Sequence, residues 1–357
     1  MNLRYELARL RADYYLSGVT DRHRRSRPVP APLYVVWDCT RHCNLRCAHC
    51  GAAGATYPVE LSAGQVRAVL DQLAAMGVRM FGVTGGEPLL RAGLVPLLEY
   101  ARALGLRTGI ATNGFLLDVV MARQMALAGV HSIMVSLDGP EGLHNEIRGH
   151  AESFGRAVEA VRRVMEVGVP LVTVATTVTA HNLSELEALH GILLGLGVPA
   201  WRLAAVMPIG RAREPREWLT PPQVESLLAF VHRHRSKRLS ITLGENLPYL
   251  GKWETRLRSE PSICPVGFTA CCLGVDGWVR GCPEMPDTPE NRQGSVRETP
   301  FAEIWQKGFG RYRNREVLTG DAACAACPAQ SPCYGGCWVM REEGQQCIRR
   351  SGIGRTW

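Results

Sequence analysis

WDCTRHCNLRCAHCGAA, residues 37–53, sets Cys43, Cys47 and Cys50 at the spacing Cys-x3-Cys-x2-Cys just after an apolar run. Three thiolates can hold three irons of a four-iron cubane and leave the fourth open to a ligand from outside the protein. Soft thiolates also suit zinc, so residue type alone leaves both metals open. The setting, a strand candidate running into a polar cysteine-bearing segment, favours a cluster held on a loop.

Outward from this run the strand pattern recurs. LYVVWD (33–38), RMFGVT (79–84), LRTGIAT (106–112), SIMVSLD (132–138), LVTVATTV (171–178) and WRLAAV (201–206) read as strands. Helical periods lie between them at 62–76, 94–104, 118–128, 153–167 and 183–196. Ser62 and Ser184 are candidate N-caps, and Gly77, Gly105, Gly129 and Gly168 stand where helices should stop. Six strands alternating with helices predict an α/β fold with a parallel sheet, whose ligand sites lie beyond the C-terminal strand ends. Leu3, Leu7, Leu10 and Tyr14 predict a short amphipathic helix within residues 1–17, followed by a Pro-rich basic linker to about Pro32. A further helix is predicted over 221–235. From about Ser259 to Cys347 the chain is rich in Cys, Gly and Pro, the composition of a segment held together by metal.

Polar motifs follow the strand ends. Gly85-Gly86-Glu87-Pro88 comes after the second strand. Its glycines let a ligand approach the backbone, and a carboxylate can pair with an ammonium group; alone, the motif is also just a turn. The third strand ends in Thr112-Asn113-Gly114, and the fourth in Ser136-Leu137-Asp138-Gly139, with Arg148 in the next segment. Asn113 and Asp138 equally suit helix caps or turns. MPIGRA (207–212), after the sixth strand, equally suits a Pro-Gly turn.

The cysteine run with GGEP behind it resembles the radical S-adenosylmethionine (SAM) superfamily. That family usually has an aromatic residue before its last cysteine, where this chain has His49. The resemblance implies a partial (β/α)6 barrel in which Cys43, Cys47 and Cys50 hold a [4Fe-4S] cluster and SAM chelates the open iron. Gly85, Gly86 and Glu87 would receive the methionine amine of SAM, Ser136 its ribose and Arg148 its carboxylate. Met207 and Ile209 would bracket the adenine, with Asn113 and Asp138 as further candidates. The implied chemistry is reductive cleavage of SAM to a 5′-deoxyadenosyl radical, which takes a hydrogen atom from the substrate; the protein positions and the cofactor reacts.

A second array reads Cys264-x12-Gly277-x4-Cys282, then Cys324-x2-Cys327-x5-Cys333-x3-Cys337, then Cys347. It resembles the seven-cysteine pattern of SPASM domains, which implies a small, cysteine-rich C-terminal domain with two auxiliary four-iron clusters. Cys264, Cys282 and Cys337 would ligate the first, with Cys271, or Cys272 in its place, as the fourth ligand. Cys324, Cys327, Cys333 and Cys347 would ligate the second. A zinc site with four thiolates is the alternative for 324–347. The expected cofactors are thus SAM and three [4Fe-4S] clusters. Cys39 is left over from this assignment and suits a small buried hydrophobe. The expected layout is an N-terminal helix and linker (1–32), the barrel (33–236), a bridging segment (237–258) and the cluster-binding domain (259–357).

The formal net charge of +8 gathers in Arg22, Arg24, Arg25, Arg27 and the run HRHRSKR at 232–238. These runs read as a solvated linker and helix end, or as a surface for an acidic peptide or a nucleic acid. No RNA- or DNA-binding motif accompanies them, so nucleic acid is not an expected partner. No apolar run reaches the roughly 18–20 residues of a membrane span, and the N-terminus has no signal-peptide core. Thirteen cysteines in such a chain argue against a disulfide scaffold and for metal chemistry in a reducing compartment, the cytoplasm.

The resemblance implies an oxidoreductase that cross-links or oxidises a side chain of a ribosomally made peptide, fed by an electron donor such as flavodoxin or ferredoxin. Two features stand against a direct transfer of that role. The N-terminal segment is shorter than the peptide-binding winged helix of many such maturases. Sulfatase-maturing relatives have a basic Asp directly after the Gly-x4-Cys cysteine, whereas here Pro283 stands there and Glu284 follows as the one catalytic candidate. The alternatives are a small-molecule dehydrogenase, a tetrapyrrole side-chain modifier, and a non-catalytic zinc protein.

Overall fold

Alternation along the strands dictates the architecture. A computed structural model describes residues 3–53, 59–214, 217–247, 249–314, 327 and 333–342. The six predicted strands are present as β1 (Tyr34–Asp38), β2 (Met80–Thr84), β3 (Arg107–Thr112), β4 (Ser132–Ser136), β5 (Leu171–Val178) and β6 (Ala200–Ala205), paired in parallel in that order. Val35, Trp37, Phe81, Val83, Val135 and Trp201 point to one face and are fully buried. There they share a core with α2 (Ala63–Ala75), α3 (Leu94–Ala103), α4 (Val119–Leu127), α6 (Ser153–Glu166), α7 (Leu186–Leu196) and α8 (Pro221–His234), while the short α5 (Glu141–Arg148) follows β4 and ends in Arg148. Residues on the opposite face are small or polar and half-buried, among them Ala111, Ser132, Ala175, Thr177 and Ala204, so the sheet encloses an open lumen.

The sheet continues past both borders drawn from composition. β7 (Ser240–Leu243) extends it in parallel from β6, and β8 (Ala270–Leu273) lies parallel to β1 on its other side. β9 (Trp278–Arg280) and β10 (Gly294–Ser295) add antiparallel edges, giving the order β10-β9-β8-β1-β2-β3-β4-β5-β6-β7 among the described residues. Each of these four strands spans four residues or fewer, too short to show a period in the sequence.

Local signals placed most helix ends. Ser62 caps α2 in a reciprocal box: its Oγ accepts from Gln65 N at 3.3 Å, and its N–H donates to Gln65 Oε1 at 2.9 Å. Gly77, Gly105, Gly129 and Gly168 follow α2, α3, α4 and α6 with φ between +72° and +85°. Ser184 is not a cap. It lies inside a 3-10 turn, Leu183–Glu185, that precedes α7, and the neighbouring Asn182 organises the segment, accepting from Thr179 N at 2.8 Å.

The first helix, α1, runs Leu3–Arg24, beyond the predicted end. Its buried face is Tyr5, Leu16, Val19 and Thr20, while Leu3, Leu7, Leu10 and Tyr14 face outward. Polar anchors decide the rotation. Tyr5 donates to Glu254 Oε1 at 3.0 Å, Tyr15 to Phe268 O at 3.1 Å and Thr20 to Arg313 O at 2.8 Å. No described helix is long and apolar enough to cross a membrane.

Candidate active site

The loop carrying Cys43, Cys47 and Cys50 hangs over the C-terminal ends of the parallel strands, held by the loops after β2, β4 and β6. From the β2 side, Gly86 N donates to Thr40 O at 2.7 Å and Glu87 N to His42 O at 2.8 Å. A Cβ on Gly85 would lie 2.5 Å from Thr40 O, and one on Gly86 would lie 2.2 Å from His42 O. Both glycines are therefore required by loop-on-loop packing, whether or not a ligand also approaches. From the segment after β4, Ile147 O accepts from Ala48 N at 2.8 Å and Arg148 O from Arg46 N at 3.3 Å. From the β6 side, Arg211 N donates to Cys50 O at 3.0 Å, and its Nε donates to Cys47 O at 2.6 Å.

Below this loop opens a cavity of about 670 Å³ whose wall includes all three cysteines, Gly85, Gly86, Asn113, Ser136 and Arg148. Four other predicted SAM contacts lie outside that wall. Glu87 is fully buried behind it, where its carboxylate accepts from Leu89 N (3.1 Å), Thr112 Oγ1 (2.7 Å) and Asn113 N (2.8 Å). It therefore ties the β2 loop to the end of β3. Burial pushes its pKa up against these three bonds. Ile209 is buried against Gly51, and Met207 is packed on the core nearby. Asp138 is fully buried and orients Arg148.

Arg148 donates to Asp138 Oδ2 at 2.6 Å and points Nη1 at Cys47 Sγ, 3.7 Å away. Asp138 also accepts from Thr177 N at 3.0 Å. Burial alone would raise the Asp138 pKa; the Arg148 guanidinium leads the groups that carry it below the ordinary carboxylate value. His49 and His144 flank the carboxylate at 3.9 and 4.0 Å, and burial lowers each ring to a pKa of about 4. Both rings are thus neutral near pH 7, and His144 Nδ1 accepts from Asp138 N at 3.0 Å. His144 was missed in the sequence, as was Arg211, which sits in the MPIGRA segment and lines the same cavity.

The donors around the cysteines suit a thiolate-bound cluster. Besides Arg148, Leu45 N lies 3.5 Å from Cys43 Sγ and Asn113 Nδ2 lies 4.0 Å from it, so N–H groups face sulfur where negative charge would sit.

Deeper in the lumen, Arg202 of β6 makes a two-pronged ion pair with Glu245. Arg280 of β9 reaches Asp38 at 3.3 Å, and Arg41 reaches the same carboxylate at 2.9 Å. Glu284 lies beside them, exposed to solvent but surrounded by these charged groups; a Cβ on Gly51 would come within 3.6 Å of its carboxylate. Burial raises its pKa, helped by the like charge of Asp38 and opposed by Arg202, Arg280 and Arg41.

Cys264, Cys282 and Cys337, from three separate segments, lie within electrostatic range of one another at this end of the lumen, and among the described residues no three His, Cys, Asp or Glu side chains are grouped closely enough to hold a metal as they stand. Backbone N–H groups of Val266 and Trp338 face the Cys264 sulfur, and those of Met340 and Val339 face Cys337. The Cys271-Cys272 doublet is resolved by register. Cys271 pairs with Val35 and shares its helix-covered core, whereas Cys272 pairs with Val36 and lies on the lumen side with Arg280, Asp38 and Cys282 as neighbours. Cys272 is thus the doublet member on the lumen side, within electrostatic range of Cys282. Cys39 is buried in the core, as a small hydrophobe would be. Of the four cysteines expected at the second auxiliary site, Cys327 and Cys333 are half-buried, and Cys324 and Cys347 lie outside the described residues.

Residues 37–191 match the family model of the Radical SAM superfamily. The chain is 31% identical over 329 residues to the AdoMet-dependent heme synthase of Oleidesulfovibrio alaskensis, covering 86% of this chain and 83% of that protein. It is 26% identical over 315 residues to the mycofactocin maturase MftC of Mycobacterium ulcerans, covering 88% and 85%. Its fold is similar to that of Streptococcus suis SuiB solved with S-adenosylmethionine, with a TM-score of 0.72 at 17% identity over 90% of this chain and 77% of that one. Likeness at this level along most of both chains goes well beyond a shared motif, and the chain belongs to the radical SAM superfamily of enzymes.

Proposed function

We propose that this enzyme oxidises a carboxylate-bearing side chain of a tetrapyrrole by abstracting a hydrogen atom from it. The observation that carries the reading is the 31% identity to a heme synthase along most of both chains, against 26% for the peptide maturase. The lumen supports it. Arg202, Arg41 and Arg280 give it a positive wall, each already paired with a carboxylate of the chain, so a substrate carboxylate would have to share or displace Glu245 or Asp38. Small side chains on the inner strand faces leave room beside them.

When bound, SAM and a cluster held by Cys43, Cys47 and Cys50 supply a 5′-deoxyadenosyl radical. The chain's own part is to hold and aim. Gly85, Gly86, Asn113 and Ser136 line the space for SAM, with Arg148 as partner for its carboxylate. Asp138 fixes Arg148, and Glu87 fixes Asn113, each from behind the wall. Ile209 and Met207 close the β6 side. Cys264, Cys272, Cys282 and Cys337 would hold a first auxiliary cluster, and Cys324, Cys327, Cys333 and Cys347 a second. Clusters held there would supply an acceptor for the electron that side-chain oxidation releases. Glu284, between the lumen arginines and the cysteine loop, is the acid–base candidate. Flavodoxin or ferredoxin in a reducing cytoplasm would serve as electron donor.

The test is anaerobic turnover of the reconstituted enzyme with SAM, a reductant and an iron porphyrin bearing propionates. A changed porphyrin mass, with 5′-deoxyadenosine formed in step, is the expected result. Peptide modification is the second reading, favoured by the maturase likeness over 88% of the chain. An unchanged porphyrin together with a mass change in a short peptide encoded beside the enzyme would replace the first reading with the second.

A further inference from the structure

The outward stripe of α1 has a spacing that the rest of the fold does not use. Leu3, Leu7, Leu10 and Tyr14 follow one another at intervals of four, three and four residues, the a/d seam of a two-helix coiled coil. They are 68%, 47%, 55% and 85% exposed. The opposite side of the same helix, through Tyr5, Leu16 and Val19, is buried in the body of the protein, so the seam lies on the outer side, where Leu3 and Leu7 border an open depression that Glu260 also lines. We propose that this seam is a self-association surface, on which a second copy of the chain docks its own α1 in parallel.

Charge selects both the occupant and the direction. Arg4 and Arg11 directly follow the d positions Leu3 and Leu10; Glu6 and Asp13 directly precede the a positions Leu7 and Tyr14. In heptad terms the arginines take e and the carboxylates take g. A parallel pair sets each g residue against the partner's e residue five positions on. Glu6 then meets the partner's Arg11, and the two-fold axis repeats the pair. An antiparallel pair would set arginine against arginine and carboxylate against carboxylate. Glu6 already accepts from Arg9 of its own chain through Oε2 at 3.0 Å, and a carboxylate has capacity for a further donor. The next seam positions are Ser17 and Asp21, so the apolar contact ends there and the dimer is short and reversible.

Sedimentation velocity of the holoenzyme, under anaerobic conditions and over a wide concentration range, reads this directly. The expected result is a concentration-dependent dimer. Leu7→Glu with Leu10→Glu should abolish it while SAM cleavage stays at the wild-type rate, which also shows that the variant is folded. Arg11→Glu should weaken the dimer roughly tenfold by facing two carboxylates across the seam, and adding Glu6→Arg should restore it. A wild-type monomer at every concentration would overturn the proposal, and so would a dimer that survives the double leucine change. A tighter dimer with Arg11→Glu alone would overturn the parallel arrangement.

Discussion

The two cysteine regions of this enzyme are built in opposite ways. Cys43, Cys47 and Cys50 lie within one short loop, and backbone hydrogen bonds from the loops after β2, β4 and β6 hold that loop in place. Cys264, Cys272, Cys282 and Cys337 come instead from β8, its flanking loops and the start of a short helix (Trp338–Glu342). Cys272 is buried and the other three are half-buried; desolvation pushes Cys264 and Cys272 up to a pKa of about 12 and also raises Cys282 and Cys337. The first region is shaped by main chain before any metal arrives. The second depends on distant segments packing together; in both regions burial favours the neutral thiol, so a metal must displace protons to bind. A motif that is contiguous in sequence can be preorganised by backbone alone; one spread over distant segments depends on tertiary packing and on its metal.

The strongest way to break this contrast is to empty the first region and watch the second. Cys43, Cys47 and Cys50 replaced together by Ala should abolish 5′-deoxyadenosine formation and leave the iron of the C-terminal array in place. Loss of all iron would mean that the two regions assemble as one unit.

Next in size is the buried ion pair that steadies the first region. Asp138→Ala leaves the Arg148 guanidinium buried without its carboxylate, and should cost about 3–5 kcal/mol of stability in chemical denaturation. A cost under about 1 kcal/mol would show that Arg148 finds water or another partner, as an exposed pair would.

The same network sets a pH limit. The folded pKa of His144, about 4, lies below its ordinary value of about 6.5. Its stabilising contribution is therefore complete above about pH 6.5 and is lost as pH falls toward about 4. At pH 5 the wild type should have lost about 2 kcal/mol relative to a His144→Asn variant compared in the same way. Parallel pH profiles for the two proteins would remove His144 from the account.

The smallest effect sharpens the second region. Cys271→Ala trims a thiol in the helix-covered core and should cost about 1 kcal/mol with iron content unchanged. Cys272→Ala should lower iron content with little change in the first region's spectrum. The reverse outcome would mean that the register of β8 shifts when metal binds.

Much of this was legible before the structure. Six strands, their helices and the Ser62 cap follow from periodicity and side-chain chemistry, because those signals act over a few residues. The lining of the cavity by Gly85, Gly86, Asn113, Ser136 and Arg148 followed from their places after successive parallel strands. The motif for SAM did not distinguish wall from support. Glu87 and Asp138 stand behind the cavity because their carboxylates are taken up by Asn113, Thr112 and Arg148, partners 10 to 26 residues away in the chain.

What the sequence by itself determined is therefore the alternation of strand and helix, the cysteine-bearing loop at a strand end, and the superfamily. Each depends on local pattern or near-neighbour spacing. Only the tertiary structure decided which of Cys271 and Cys272 faces the lumen, since a one-residue change of register against β1 would exchange them. It also turned the apolar stripe of α1 outward, because Tyr5, Tyr15 and Thr20 find hydrogen-bond partners more than two hundred residues away. Periodicity reports that a helix has an apolar stripe; the distant groups that meet its other side fix which way the stripe points.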